Sequence, residues 1–243
     1  MSLLDRFKAL SPSSVSLFRN APSVWAVKYL YSVRDESGPA AWRGIAVEAG
    51  VTQIVMGGKS HEEALQAALD NYELNAQGLA DDKADRARNL IGPMLNQAMP
   101  LFAPKGKPSM IQLKVERQLE GVPLPFVGYC DFVWDNEVVD LKTTERMPSE
   151  PKPDHAAQVA LYCHGTNRTG TLIYVTDKKS AEYKLDADAQ KAAIADLTRS
   201  AKALCHALSR FDRPEDLARC YAPDFTSFYW SEPTKAKALE IHA

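Results

Sequence analysis

Residues 128–144, GYCDFVWDNEVVDLKTT, decide the fold. The run reads as two strands joined at Asp135-Asn136, residue types that tolerate the left-handed backbone of a two-residue hairpin turn. Phe126-Val127, Phe132-Val133-Trp134, Val138-Val139 and Leu141 are β-formers on either side of it. A two-residue turn fixes the register: Trp134 opposite Glu137, Val133 opposite Val138, Phe132 opposite Val139, and Asp131 opposite Asp140. Strand alternation then puts Lys142 on the face of Asp140. Two carboxylates facing each other destabilise a sheet unless something binds between them. A divalent cation is the natural occupant, since hard cations take oxygen ligands. Two acids on a cation beside a lysine form a constellation suited to phosphodiester hydrolysis.

Working outward, the preceding hundred residues read as helical. Residues 11–31 give a capped helix, a break at Ala21-Pro22 and a second helix. Residues 42–57 carry Ile45, Val47, Ala49, Val51, Ile54 and Val55 mostly at helical spacing and end at Gly57-Gly58. Residues 60–77 open with a Ser60/Glu63 capping box and an Ala64, Leu65, Ala68, Leu69, Tyr72 stripe. Asp81 or Asp82 starts a further helix running to about Met99. The pattern then changes: 110–119 alternates as a strand, Gly121 to Pro125 turns the chain into the hairpin, 154–164 is a helix, 170–176 a buried strand, 181–185 a short polar-edged strand, and 186–211 an alanine-rich helix. The tail from 214 reads as irregular, with the aromatic run FTSFYW free to contact a partner or to fold back. This order predicts one α/β domain with a helical N-terminal part: 1–105 mainly helical, 106–212 the α/β core, 213–243 the tail.

With 243 residues, 45% hydrophobic and 25% charged, the composition is that of an ordinary globular protein. No apolar run is long enough to span a membrane, so no membrane partner is expected. The N-terminus lacks the apolar core of a signal peptide, which makes the cytoplasm (the host's, if a phage encodes the chain) the expected address. Cys130, Cys163, Cys205 and Cys220 form no CxxC pair and read as reduced structural thiols. A formal net charge of −2 rules out a chain coated in basic surface but not a local basic groove.

Four pieces in order resemble the PD-(D/E)xK nuclease superfamily, and within it the RecB-like and phage-type exonuclease branch. SPSSVSLFRNAPSVWAVKY resembles that branch's N-terminal S-x-S…C-P helix, with Ala21 where a cysteine often sits. RGIAVEAG is similar to the RG-x-x-x-H/E helix, with Glu48 in the acid's place. GYCD and VVDLKTT match the G-x-x-D…D-x-K-T core at Asp131, Asp140 and Lys142, and Gln158 and Tyr162 match a Q-x-x-x-Y helix. The resemblance covers residues 11–176. It implies a restriction-endonuclease-like core, a central mixed β-sheet flanked by helices, and a metal-dependent DNA exonuclease acting in recombination, repair or phage DNA processing. Two alternatives stay open: a non-catalytic DNA-binding or recombination-partner module of the same fold, and a structure-specific endonuclease.

The resemblance also implies roles. Asp131, Asp140, the Leu141 backbone carbonyl and Glu48, directly or through water, would hold Mg²⁺ or Mn²⁺. Lys142 would orient or deprotonate the attacking water and stabilise the charge of the transition state, stabilising charge being the preferred role beside two carboxylates. Gln158 would brace the site or a phosphate, and Tyr162 would line the cleft, the alternative for both being ordinary packing. Since position 21 is Ala and Cys205 and Cys220 have no clustered partner, no iron–sulfur cluster is expected. DNA contacts fall to Arg43, Arg146 and Lys152, with Lys28, Arg34 and Lys142; for each the alternative is a solvated face. Glu116 could reach the site or remain an exposed strand acid, and His155 reads as a local hydrogen-bonding group. Besides DNA, a recombination or single-strand-annealing partner and a homo-oligomer are compatible with the branch.

Overall fold

The computed structural model describes residues 1–33, 37–78 and 81–243; Arg34 lies outside them. The chain divides into two compact units, one of Met1–Glu36, Val115–Gly128 and Lys191–Ala243, the other of Ser37–Lys114 and Tyr129–Gln190.

In the first unit, α1 (Pro12–Asn20) and α2 (Pro22–Leu30) meet at Ala21, each with proline in its first turn, where no backbone N–H is needed. Ser11 and Ser14 close a reciprocal cap on α1. Trp25 is the centre of this unit, 1% exposed, stacked on Phe7 and Tyr29 and edge-on to Phe18. The tail is not irregular. It forms α9 (Pro214–Ala218) and α10 (Glu232–His242), and Ser231 and Thr234 make the capping box that starts α10. That box is Ser-x-x-Thr rather than Ser-x-x-Glu, which hid it among the aromatics. Arg219 Nε donates to the Ile241 carbonyl at 3.0 Å and ties the two tail helices together.

The second unit carries α3 (Pro39–Gly57), α4 (His61–Ala76), α5 (Asp82–Asn89) and α6 (Ile91–Phe102). The Ser60/Glu63 box caps α4, and Gly58, at φ 61°, ends α3 in the left-handed conformation that glycine adopts freely. The single helix expected from Asp82 to Met99 is broken at Leu90. Pro93 has no N–H for the Asn89 carbonyl and its ring collides with that carbonyl, so the chain must restart at Ile91. Pro100, expected to lie beyond the helix, sits in its last turn. Gly50 lets three helices close up, because a Cβ there would stand 3.1 Å from Leu95 of α6 and 3.2 Å from Ala68 of α4.

The five-stranded sheet runs β1 (Met110–Arg117), β2 (Phe126–Val133), β3 (Glu137–Thr143), β4 (Thr169–Val175), β5 (Ser180–Leu185), in that order. β2 and β3 are antiparallel, with Phe132 opposite Val139 and Val133 opposite Val138 as the turn length requires. Trp134 N–H donates to the Glu137 carbonyl at 2.8 Å. The turn is reached differently from expectation: Ser32, Gln77 and Gln112 are the non-glycine residues at positive φ among those described, so neither Asp135 nor Asn136 is left-handed. Asp135 instead accepts from Ser109 Oγ at 2.8 Å, and the Asn136 carbonyl accepts from Thr169 N–H at 2.8 Å.

β3 and β4 are parallel, which demands a crossover, and α7 (Pro153–Cys163) supplies it. Gly170 admits α7 closely, since a Cβ there would lie 2.5 Å from Val159. β5 pairs antiparallel with β4, and α8 (Ala187–Ser209) follows. This is the mixed sheet flanked by helices that the resemblance implied. Val47, Val51, Leu95 and Phe102 of the helices and Phe132, Val139, Leu141 and Ile173 of the sheet form one buried cluster. Each such side chain contributes about 1.5–3 kcal/mol by leaving water. Among the described residues no helix is long and apolar enough to cross a membrane.

Candidate active site

β3 is buried along most of its length, yet its side chains alternate between apolar and charged. Val139 and Leu141 enter the hydrophobic cluster, while Asp140 and Lys142 point the other way. Asp140 is fully buried at 0% exposure, and its Oδ1 has no hydrogen-bond donor. Lys142 Nζ lies 2.7 Å from Oδ2, an ion pair at hydrogen-bonding length. Asp131, on β2, takes the Leu141 N–H on Oδ2 at 3.0 Å, so the side chain of one strand reaches the backbone of the other.

Lys142 continues into a chain. Its Nζ donates to Gln158 Oε1 at 3.2 Å, and Gln158 Nε2 donates to Tyr162 Oη at 2.8 Å. Gln158 and Tyr162 are one turn apart on α7, so one helix face serves both. Next to them His155 Nδ1 shares a 2.8 Å hydrogen bond with Tyr174 Oη, which also accepts from Lys152 N–H at 3.1 Å. Burial, with the Lys142 and Lys152 charges, depresses His155 to about 4, so the ring is neutral at ordinary pH. It is the local hydrogen-bonding residue expected.

Glu48, on α3, completes the acidic group. Gln112 on β1 donates its amide to the Glu48 carboxylate. Gln112 was not singled out in the sequence, and it holds φ at 46°, a left-handed backbone inside a strand. Such a residue stores about 1–3 kcal/mol of strain and needs a surrounding structure that holds it there. The only sequence signal for it is a polar residue in an alternating strand, which is too common to mark a site.

The electrostatics of the group are lopsided. Burial pushes Asp131 well above the usual carboxylate range, and Asp140 and Glu48 push it further, against Lys142 and the Leu141 N–H. Burial likewise raises Asp140, opposed by Lys142, and it raises Glu48, opposed by the Gln112 amide. Burial disfavours the Lys142 charge, but Asp140 and Asp131 outweigh it and hold the ammonium above its ordinary value. Burial also raises Tyr162, which therefore stays a neutral phenol. With every carboxylate ionised, three negative charges face one ammonium.

A divalent cation fits this set on one observation: Asp140 is fully buried with Lys142 alone beside Oδ2 and no donor on Oδ1, so oxygen lone pairs stay free for an ion. Among the described residues no three His, Cys, Asp or Glu side chains close into a ready-made cage.

The remaining expected residues are placed as follows. Arg43 is 3% exposed and meets Glu145 Oε1 at 3.4 Å, and Arg86 meets Glu145 Oε2 at 2.8 Å. Arg146 and Lys152 are exposed, Lys152 at the N-cap of α7. Lys28, in the last turn of α2, and Glu116, exposed near the end of β1, belong to the first compact unit. Gly44, beside Arg43, lets α3 approach the end of β3, because a Cβ there would stand 3.3 Å from Thr143 Oγ1. Cys130, Cys163 and Cys205 are buried and Cys220 is exposed, none of them in a disulfide among the described residues.

No curated protein matches the sequence. A crystal structure from Eubacterium rectale, described provisionally as an exonuclease, superposes with a TM-score of 0.58 at 14% identity, covering 89% of each chain. At that identity the likeness speaks for the fold alone. A second solved structure, SSO0001, reaches a TM-score of 0.33 at 16% identity over 75% of this chain and 84% of its own, too loose to indicate a common fold. The family model of the PD-(D/E)XK nuclease superfamily matches residues 9–222, which takes in the buried acids, the lysine and the α7 glutamine. The chain belongs to the PD-(D/E)XK nuclease superfamily.

Proposed function

We propose that the protein is a Mg²⁺- or Mn²⁺-dependent deoxyribonuclease of the RecB-like and phage-type branch, acting as an exonuclease in recombination, repair or phage DNA processing. One observation carries the reading: a fully buried aspartate whose Oδ2 meets only the ammonium of a lysine two residues along the same strand and whose Oδ1 meets no donor. A buried carboxylate left in that state costs several kcal/mol, and a bound cation is what would offset it.

Asp131, Asp140 and the Leu141 carbonyl would hold the cation, with Glu48 completing the set directly or through water. When bound, the cation would acidify a water and neutralise charge at the phosphate. Lys142, kept charged by the two aspartates, would stabilise the negative charge that develops on the phosphoryl oxygens. Its raised pKa argues against its taking a proton from the water, so its role is that of a fixed positive charge. Gln158 holds the ammonium in place, and Tyr162, a neutral phenol, holds Gln158. The exposed Arg146 and Lys152 would meet the DNA backbone.

Purified protein incubated with end-labelled linear duplex and with covalently closed circular DNA, in Mg²⁺, Mn²⁺ or EDTA, tests this. Loss of the linear substrate alone, dependent on metal and reduced at least about 10³-fold in Asp140→Asn, is the expected result. Cutting of the circle would make the enzyme an endonuclease. Undiminished cleavage by Asp140→Asn, in protein that melts like the wild type, would sink the assignment of the site.

A further inference from the structure

The start of α3 carries a second concentration of charge. A cavity of about 460 Å³ opens there, lined by Gly38 and Pro39 at the helix start, Arg43 one turn in, Lys83 and Arg86 of α5, and Glu145 just past β3. Its volume falls in the range of small-molecule sites. Among the described residues three cations face one carboxylate in it, and the positive end of a 19-residue helix adds to them. Glu145 is shared between Arg43 and Arg86, so one anion serves two guanidinium groups, and Lys83 has no ion-pair partner among the described residues.

Arg43 is the decisive residue. It is 3% exposed and lines the cavity, yet its Nε has no hydrogen-bond partner, and its one acidic contact is a long 3.4 Å. A buried guanidinium with its Nε–H unmet is costly, and a planar fork of N–H groups is the geometry that takes a phosphate on two of its oxygens. Pro39, Ala41 and Ala87 give the walls an apolar lining for an organic body attached to that phosphate.

We propose that this cavity is a phosphate-monoester site, in which the phosphate sits between Arg43, Lys83 and Arg86 and the small apolar residues hold the group that bears it. Glu145 acts as the built-in competitor: it occupies the guanidinium groups when no ligand is present and yields them when one arrives. The same chemistry has two sources, a free mononucleotide or the phosphorylated end of a nucleic acid chain. The site uses none of the groups around Asp140, so it stands or falls independently of the metal-centred reading.

The test is calorimetric titration of the full chain in EDTA, which keeps hydrolysis out, with inorganic phosphate, deoxyadenosine 5′-monophosphate, and a duplex oligonucleotide with either a 5′-phosphate or a 5′-hydroxyl. Because Arg43→Ala risks the fold, the variants are the surface pair Lys83→Ala/Arg86→Ala and, separately, Glu145→Gln. Binding of the mononucleotide should weaken at least tenfold in the pair and tighten at least threefold in Glu145→Gln. A tenfold preference for the 5′-phosphorylated duplex that disappears in the pair names the chain end as the source. Equal binding of the two duplexes beside retained mononucleotide binding names the free compound. Failure of both wild type and Glu145→Gln to bind any of the phosphates, or unchanged binding in the pair, overturns the proposal.

Discussion

The two faces of β3 differ in what burial does for them. Val139 and Leu141 gain by leaving water, and their neighbours on α3, α6 and β4 fill the space around them. Asp140 is buried as deeply, but exchanges its hydration for one partner, the Lys142 ammonium beside Oδ2, and leaves Oδ1 with no donor. A strand that spent every position on stability would not carry such a residue. One face therefore secures the strand, and the other keeps charge where solvent cannot screen it, the condition under which charge acts most strongly on a bound phosphate.

If that division is right, each face breaks in its own way. Lys142→Met removes the countercharge from Asp140 and Asp131 and should cost about 3–5 kcal/mol of stability without metal, since it leaves a buried charge uncompensated. Chemical unfolding with and without Mg²⁺ checks it, and part of the loss should return with the ion; a variant as stable as wild type in EDTA would mean that the acids are protonated and the pair carries no weight. On the other face, Leu141→Ala should cost about 2–5 kcal/mol while leaving cation affinity near wild type, because the backbone carbonyl stays. Equal damage to both properties would show that the faces are not separable.

A smaller effect belongs to His155. Its folded pKa of about 4 lies below the ordinary 6.5, so its contribution is intact above pH 6.5 and is lost as pH falls towards 4, by at most about 3 kcal/mol before solvent screening. Asp131 and Glu48 have the opposite sign: raised carboxyls add stability as the pH falls through their folded values. Comparing melting temperatures at pH 4.5 and 7 for wild type and His155→Gln isolates the histidine, whose replacement should flatten the acid-side loss. An unchanged profile would remove it from the account. Smallest is Gln112→Gly, which relieves the φ of 46° and should gain about 1 kcal/mol, while freeing Glu48 and weakening cation binding. Loss of stability instead would mean that the Gln112–Glu48 contact outweighs the strain.

Much of this was legible in the residues because the deciding signals were local. A two-residue turn sets a register by counting, so Phe132 opposite Val139 followed from the sequence, as did Lys142 beside Asp140. Glu48 was reachable through the RG motif, where Gly44 admits the end of β3. What was hidden depended on distant partners. Gln112 acquires its role because β1 passes Glu48, which no spacing reveals. The burial of Arg43 under Glu145 joins residues 102 positions apart. The break at Leu90 was readable from Pro93, but the helix was drawn across it from its start at Asp81 or Asp82 to about Met99. The helix α10 was missed because its cap uses Thr234 where Glu is the familiar partner.

The most direct test of the central claim, that the polar face of β3 is built to hold a divalent cation, is calorimetric titration of Mg²⁺ and Mn²⁺ into wild-type protein and Asp140→Asn, without DNA. The account predicts binding to the wild type that weakens as the pH is lowered towards the raised Asp131 value, since the proton competes for the same oxygens, and that falls at least tenfold in the variant. Equal affinity in both proteins, or no binding to the wild type, would contradict it.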